Sequence, residues 1–113
     1  MKPTPLSSLQ RRYDRLRHQL ARIGYISQGS VLDRSALKTP RSGYQWTRKL
    51  SRKTVTVALS KQQFHALRQA IRNRRTLAAM LTQMERLSRQ ILFASAPDTR
   101  RRKHLSRKVL GLN

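Results

Sequence analysis

The sequence predicts an α+β fold: an N-terminal helix, a small antiparallel three-stranded sheet containing a hairpin, a long second helix and a basic C-terminal tail. Three patterns carry that expectation. Apolar residues recur at spacings of three and four near the N-terminus, alternate with polar ones in the middle, and return to helical spacing over a long run thereafter.

Leu6, Leu9, Tyr13, Leu16, Leu20 and Ile23 form the first stripe, the signature of an amphipathic helix. Thr4 is placed to cap it, Pro5 suits its first position, and Gly24 is placed to stop it. The other faces carry Arg11, Arg12, Arg15, Arg17 and Arg22, so one side seeks a core and the rest seek anions.

Between residues 25 and 59 the period shortens to two. Tyr44, Trp46, Val55, Val57 and Leu59 alternate with Gln45, Thr47, Thr54 and Thr56, and β-branched residues gather as strands prefer. A hairpin turning at Ser51 and Arg52 places Trp46 on the face of Val55, Val57 and Leu59 and leaves threonines and Lys49 on the other. A strand over residues 26–32 completes the sheet. The loop at residues 35–42 holds Lys38, Pro40 and Arg41, and its length and polarity predict a mobile flap able to close over a ligand. Trp46 is expected to anchor the core, its rival use being, with Tyr44, a stacking platform for unpaired bases.

Ser60 and Gln63 have capping-box spacing, and Phe64, Leu67, Ile71, Leu77, Leu81, Met84, Leu87 and Ile91 carry a helix from there to near Phe93, ahead of Pro97. One domain over residues 1–97 is expected, followed by a basic arm over 98–113. Leu105 and Val109, four apart, allow the arm a short helix on contact with a partner.

The 113 residues contain 26 Lys+Arg against 4 Asp+Glu, a formal net charge of +22. Solubility is served by roughly 2 to 8 charges in a small domain, so the excess calls for an anionic partner. Most of the cations are arginine, whose planar fork of donors matches phosphate oxygens. Nucleic acid, DNA or structured RNA, is therefore the expected partner, ahead of an acidic protein and well ahead of an anionic membrane surface. The absence of cysteine excludes disulfides, thiolate chemistry and cysteine-held zinc. The N-terminus lacks the apolar stretch of a signal peptide, and no run approaches the roughly eighteen apolar residues of a bilayer span. A cytoplasmic place is expected, on the nucleoid or in a ribonucleoprotein.

Arg68, Arg72 and Arg75, with Arg74 beside them, form a ridge on the predicted second helix. Like charges so close repel by about 0.2–0.5 kcal/mol per pair, a cost that bound phosphates relieve. Arg100, Arg101, Arg102, Lys103, Arg107 and Lys108 form a second cluster in the tail, and Arg11, Arg12 and Arg15 extend the footprint. His18, His65 and His104 have no carboxylates at ligand spacing, and Asp14, Asp33, Glu85 and Asp98 are too scattered for an acid–base pair or a two-metal site. No phosphate-binding glycine motif is present. The chain reads as a binding protein with no catalytic residues, metal or cofactor.

Gly29, Ser30 and Val31, then Gly43, Tyr44, Gln45 and Trp46, then the run from Lys53 through Thr54, Val55, Thr56, Val57, Ala58 and Leu59 to Ser60 resemble an uncharacterised family of small prokaryotic proteins often encoded near transposases. In that family a Gly-Ser-aliphatic strand, a Gly-aromatic strand and a Lys-Thr strand lead into a long helix; the resemblance covers residues 29–92. Many members carry a cysteine cluster where residues 34–42 stand here, so no metal role is carried over. The resemblance implies a mobile genetic element, with the protein either a DNA-binding accessory of its transposase or nuclease or a component of an element-encoded RNA complex. Two alternatives stay open: a structural component of an RNA–protein complex that binds structured RNA, and a protein-interaction module or inhibitor docking on an acidic partner.

Overall fold

The computed structural model describes residues 4–96 and 105–112. Its elements are α1 (Leu6–Leu20), β1 (Ser30–Asp33), β2 (Tyr44–Leu50), β3 (Lys53–Leu59), α2 (Lys61–Ser95) and α3 (Arg107–Leu110). The chain is α+β, as the sequence predicts. It divides into two units: Ile23–Leu77, and α1 with α2 from Ala78 onward and residues 105–112.

In the first unit the strands lie in the order β1-β2-β3, all antiparallel. Trp46 stands opposite Val31 and Val57, and Tyr44 opposite Leu59. Opposed residues share a face, so Val31, Tyr44, Trp46, Val55, Val57 and Leu59 line one side and Gln45, Thr47, Lys49, Thr54 and Thr56 the other, as the alternation predicts. Leu50 pairs with Lys53 across a two-residue turn in which Ser51 and Arg52 have φ of 49° and 69°. Both central residues of such a turn must be left-handed, which favours Asn-Gly; side chains larger than glycine's cost roughly 1 kcal/mol each there.

The expected strand over residues 26–32 is replaced by the short β1. Gly29 breaks it, with φ of +99° and no room for a side chain: a Cβ would lie 2.5 Å from the Thr47 carbonyl oxygen and 2.5 Å from Trp46 Nε1. The preceding backbone bonds elsewhere. Ser27 N donates to the Ala70 carbonyl at 3.2 Å, Gln28 O accepts from Trp46 Nε1 at 2.9 Å, and Tyr25 O accepts from Asn73 Nδ2 at 2.9 Å. Gly29→Ala is expected to destabilise the fold by at least about 2 kcal/mol, combining left-handed strain with a clash against backbone, as read by urea denaturation.

The loop at residues 35–42 is not the free flap its polarity predicts. Asp33 caps the 3-10 turn Arg34–Ala36, accepting from Ser35 Oγ at 2.7 Å and Ser35 N at 3.0 Å. Those two bonds, the hydroxyl first, hold its carboxyl below the usual carboxylate range. Arg34 N donates to Gly43 O at 2.9 Å and Arg41 N to Arg34 O at 3.1 Å, pinching the loop at its base.

The capping box forms as predicted: Gln63 N donates to Ser60 Oγ at 3.1 Å, and Ser60 N to Gln63 Oε1 at 2.9 Å. One turn on, buried Phe64 stacks on Tyr44 with centroids 4.6 Å apart, seating the start of α2 on the sheet. Ala70 and Ile71 are also buried. Trp46 is only half-buried and is not the core anchor expected of it. Its indole hydrogen bond ties it to the segment before β1, while Arg48 Cζ lies 5.6 Å from the ring centroid.

In the second unit the core is Leu9 of α1 with Met80, Met84 and Leu87 of α2. Met80 takes the position expected of Leu81, which is 44% exposed because one residue of helix turns a side chain about 100°. The cap of α1 also differs. Pro5 is the capping residue with no side-chain bond, its carbonyl accepting from Ser8 N at 3.0 Å and Leu9 N at 3.2 Å, so Thr4 stands one residue too early. Proline also holds the residue before it extended. The helix ends at Leu20 through Ala21 N donating to Arg17 O, without help from Gly24.

Residues 105–112, within the expected arm, contain the short helix α3. Ser106 Oγ accepts from Val109 N at 3.2 Å, Gly111 closes α3 with φ of 76°, and Arg89 Nε of α2 donates to the Leu110 carbonyl. Among the described residues no helix is long and apolar enough to cross a membrane.

Candidate nucleic-acid interface

Arg68, Arg72 and Arg75 lie on one face of α2, at successive axial distances of about 6 and 4.5 Å, and all three are exposed. Lys61 precedes Arg68 by seven residues and falls on the same stripe; its i, i+7 spacing was the signal that could have included it. Arg74 is exposed too, but about 100° round the helix from Arg75, so it stands off the ridge that the sequence assigned it to.

The ridge is held from behind. Buried Ala70 fixes the opposite side of these turns and buried Ile71 flanks the ridge between Arg68 and Arg75, while Asn73 accepts from Gln69 Nε2 at 2.9 Å and donates to the Tyr25 carbonyl. Within Ile23–Leu77 the sole carboxylate is Asp33, whose hydrogen bonds go to Ser35. The ridge guanidiniums thus have no anion from their own unit, and water-facing donors aimed along one line are what a phosphate chain requires.

In the second unit Arg11, Arg12 and Arg15 are exposed on α1, with Arg11 and Arg15 four apart on one face. Asp14 pairs with Arg17 at 3.7 Å, an exposed contact worth little, and its carbonyl accepts from His18 Nδ1 at 2.7 Å. Arg107 and Lys108 lie exposed on α3, where Arg107 Nη2 reaches the Leu112 carbonyl at 3.4 Å. Arg100, Arg101, Arg102 and Lys103 lie outside the described residues.

The sequence reading passed over a further group: Arg48, Lys49, Arg52 and Lys53 at the end of the hairpin. Their density around a predicted turn was the available signal. Beyond Thr47, which pairs with Ser30, β2 has no partner on its β1 side among the described residues, and there this end of the sheet is a two-stranded ribbon.

An open groove of about 560 Å³ is lined by Gln10, Tyr13, Asp14, Ser88, Ile91 and Leu92, and a shallower one of about 260 Å³ by Ser27, Gln28, Trp46 and Arg48. Neither brings together an acid and a base at hydrogen-bond distance. Among the described residues no three His, Asp or Glu side chains gather as metal ligands would. What the surface offers chemically is positive charge and N–H donors on packed backbone. No protein-family model matches the chain, and no curated protein or solved structure matches it either, so its chemistry is read from these residues.

Proposed function

We propose that the protein is a nucleic-acid-binding accessory protein that clamps phosphate backbones with arginine clusters and serves a mobile genetic element. The observation that carries the reading is the Arg68, Arg72 and Arg75 ridge: three exposed guanidiniums on a packed helix with no carboxylate partner in their unit. Repulsion among them is relieved when each finds a phosphate. Arg11, Arg12 and Arg15 and the tail cations enlarge the footprint. The protein works by binding, without catalysis of its own, in the cytoplasm beside the nucleoid or within a ribonucleoprotein.

The link to a mobile element rests on the resemblance of residues 29–92 to proteins encoded near transposases, and it makes a transposase or nuclease of the same element the natural protein partner. The clamp itself is tested by salt. Affinity for a labelled 20-base-pair duplex, measured by fluorescence anisotropy, is expected to fall with a log–log slope of at least about −4.5, corresponding to five or more neutralised phosphates. A flat response would overturn the clamp.

A further inference from the structure

The hairpin β2–β3 combines three features that the fold does not require. Its turn places Ser51 and Arg52 in the left-handed region, with φ of 49° and 69°, where an Asn-Gly pair would close the same turn with less strain. Its cations are distributed around the ribbon: Lys49 lies on the threonine face, Arg48 and Lys53 on the opposite face, and Arg52 at the apex. The ribbon also outruns the rest of the sheet. β1 reaches only as far as Thr47, leaving Arg48, Lys49 and Leu50 paired with Val55, Thr54 and Lys53 alone.

We propose that this two-stranded end is inserted into the major groove of duplex DNA, with Arg52 leading and Lys49 and Lys53 facing the two phosphate walls. The proposal rests on the nucleic-acid reading and names its polymer and the element that enters it. Charge on both faces and at the tip suits a slot lined by phosphate on either side; a flat binding surface would use one face only. Size selects the slot. Three residue pairs extend about 10 Å, and the B-form major groove, about 12 Å wide and 8.5 Å deep, admits a β-ribbon. The B-form minor groove is about half as wide, and the A-form RNA major groove is too deep and narrow for side chains to read. At the groove floor the apex residues Ser51 and Arg52 meet the base edges, where an arginine suits guanine O6 and N7.

The strained turn gives a test in which stability and binding move in opposite directions. Arg52→Gly relieves left-handed strain while removing the leading charge. It is expected to raise Tm by a few degrees and weaken binding to a 20-base-pair DNA duplex about five- to tenfold. K49Q and K53Q, which leave the turn intact, are each expected to reduce the salt slope by about one. An RNA duplex of the same sequence should bind more weakly than the DNA and be indifferent to R52G. Methylating guanine N7 in the DNA should impair binding, whereas prior occupation of the minor groove by netropsin should not.

If DNA binds but R52G, K49Q and K53Q all bind as wild type, the hairpin proposal is overturned and the clamp survives. Preference for the RNA duplex, or loss of binding with netropsin alone, overturns the major-groove assignment. If neither polymer binds at 50 mM salt, both readings fall.

Discussion

Changing Arg68, Arg72 and Arg75 together to glutamine is expected to weaken duplex binding on the order of 10²–10³-fold at 0.1 M salt. Each phosphate contact contributes about 0.9 to the log–log salt slope, so three lost contacts remove about 2.7 units of slope and a similar number of decades at that concentration. Preorganisation is the reason the ridge is expected to dominate. Its backbone is fixed by the Ser60–Gln63 box, by buried Ala70 and Ile71, and by the Asn73 bond to Tyr25, so little entropy is lost when its side chains meet phosphate. Glutamine preserves helix propensity, and the far-ultraviolet circular dichroism should be unchanged. The comparison is a variant with Arg100, Arg101, Arg102 and Lys103 all changed to glutamine, which removes one more charge. Deleting residues 98–113 would be a poorer comparison, because it also removes the turn that Arg89 holds through the Leu110 carbonyl. If the tail variant loses binding while the ridge variant keeps it, the ridge is merely solvated and the tail is the gripping element.

Phe64→Ala is expected to cost about 3–5 kcal/mol and lower Tm on the order of 15 °C, because it empties a buried site and removes the ring that stacks on Tyr44. Against a total of roughly 5–15 kcal/mol, that is enough to leave a sizeable unfolded population on mild warming. Trp46→Ala should cost appreciably less. Its ring is half-buried and loses chiefly the hydrogen bond to Gln28 O and the contact with Arg48. Guanidinium denaturation of both variants would read the difference. A larger loss from Trp46 than from Phe64 would show that the indole, and not the Tyr44–Phe64 stack, secures the first unit.

Elements with local causes were legible in the sequence. Period-two alternation with a two-residue turn determined the hairpin and its register, since slipping one residue would send Trp46 and Val57 to the threonine face. The Ser60–Gln63 spacing determined the start of α2, and the arginine ridge followed from helical geometry alone. Boundaries governed by distant partners were not legible. Residues 25–28 have the composition of a strand, yet their hydrogen bonds go to Ala70, Asn73 and Trp46, contacts separated by up to 48 positions in the chain. The tail likewise looks too charged to order, but Arg89 meets the Leu110 carbonyl across 21 positions.

The sequence by itself thus determined the α+β class, the sheet faces and the net charge of +22, because periodicity and net charge are properties of the chain. Only the tertiary structure decided that Trp46 stays half-exposed, that Phe64 holds the helix to the sheet, and that the basic hairpin projects past β1. The physical reason is that burial depends on which surfaces meet. Gly29, at φ of +99° and so outside the extended region, stands where β1's pairing ends at Thr47, beyond which the hairpin end is two-stranded.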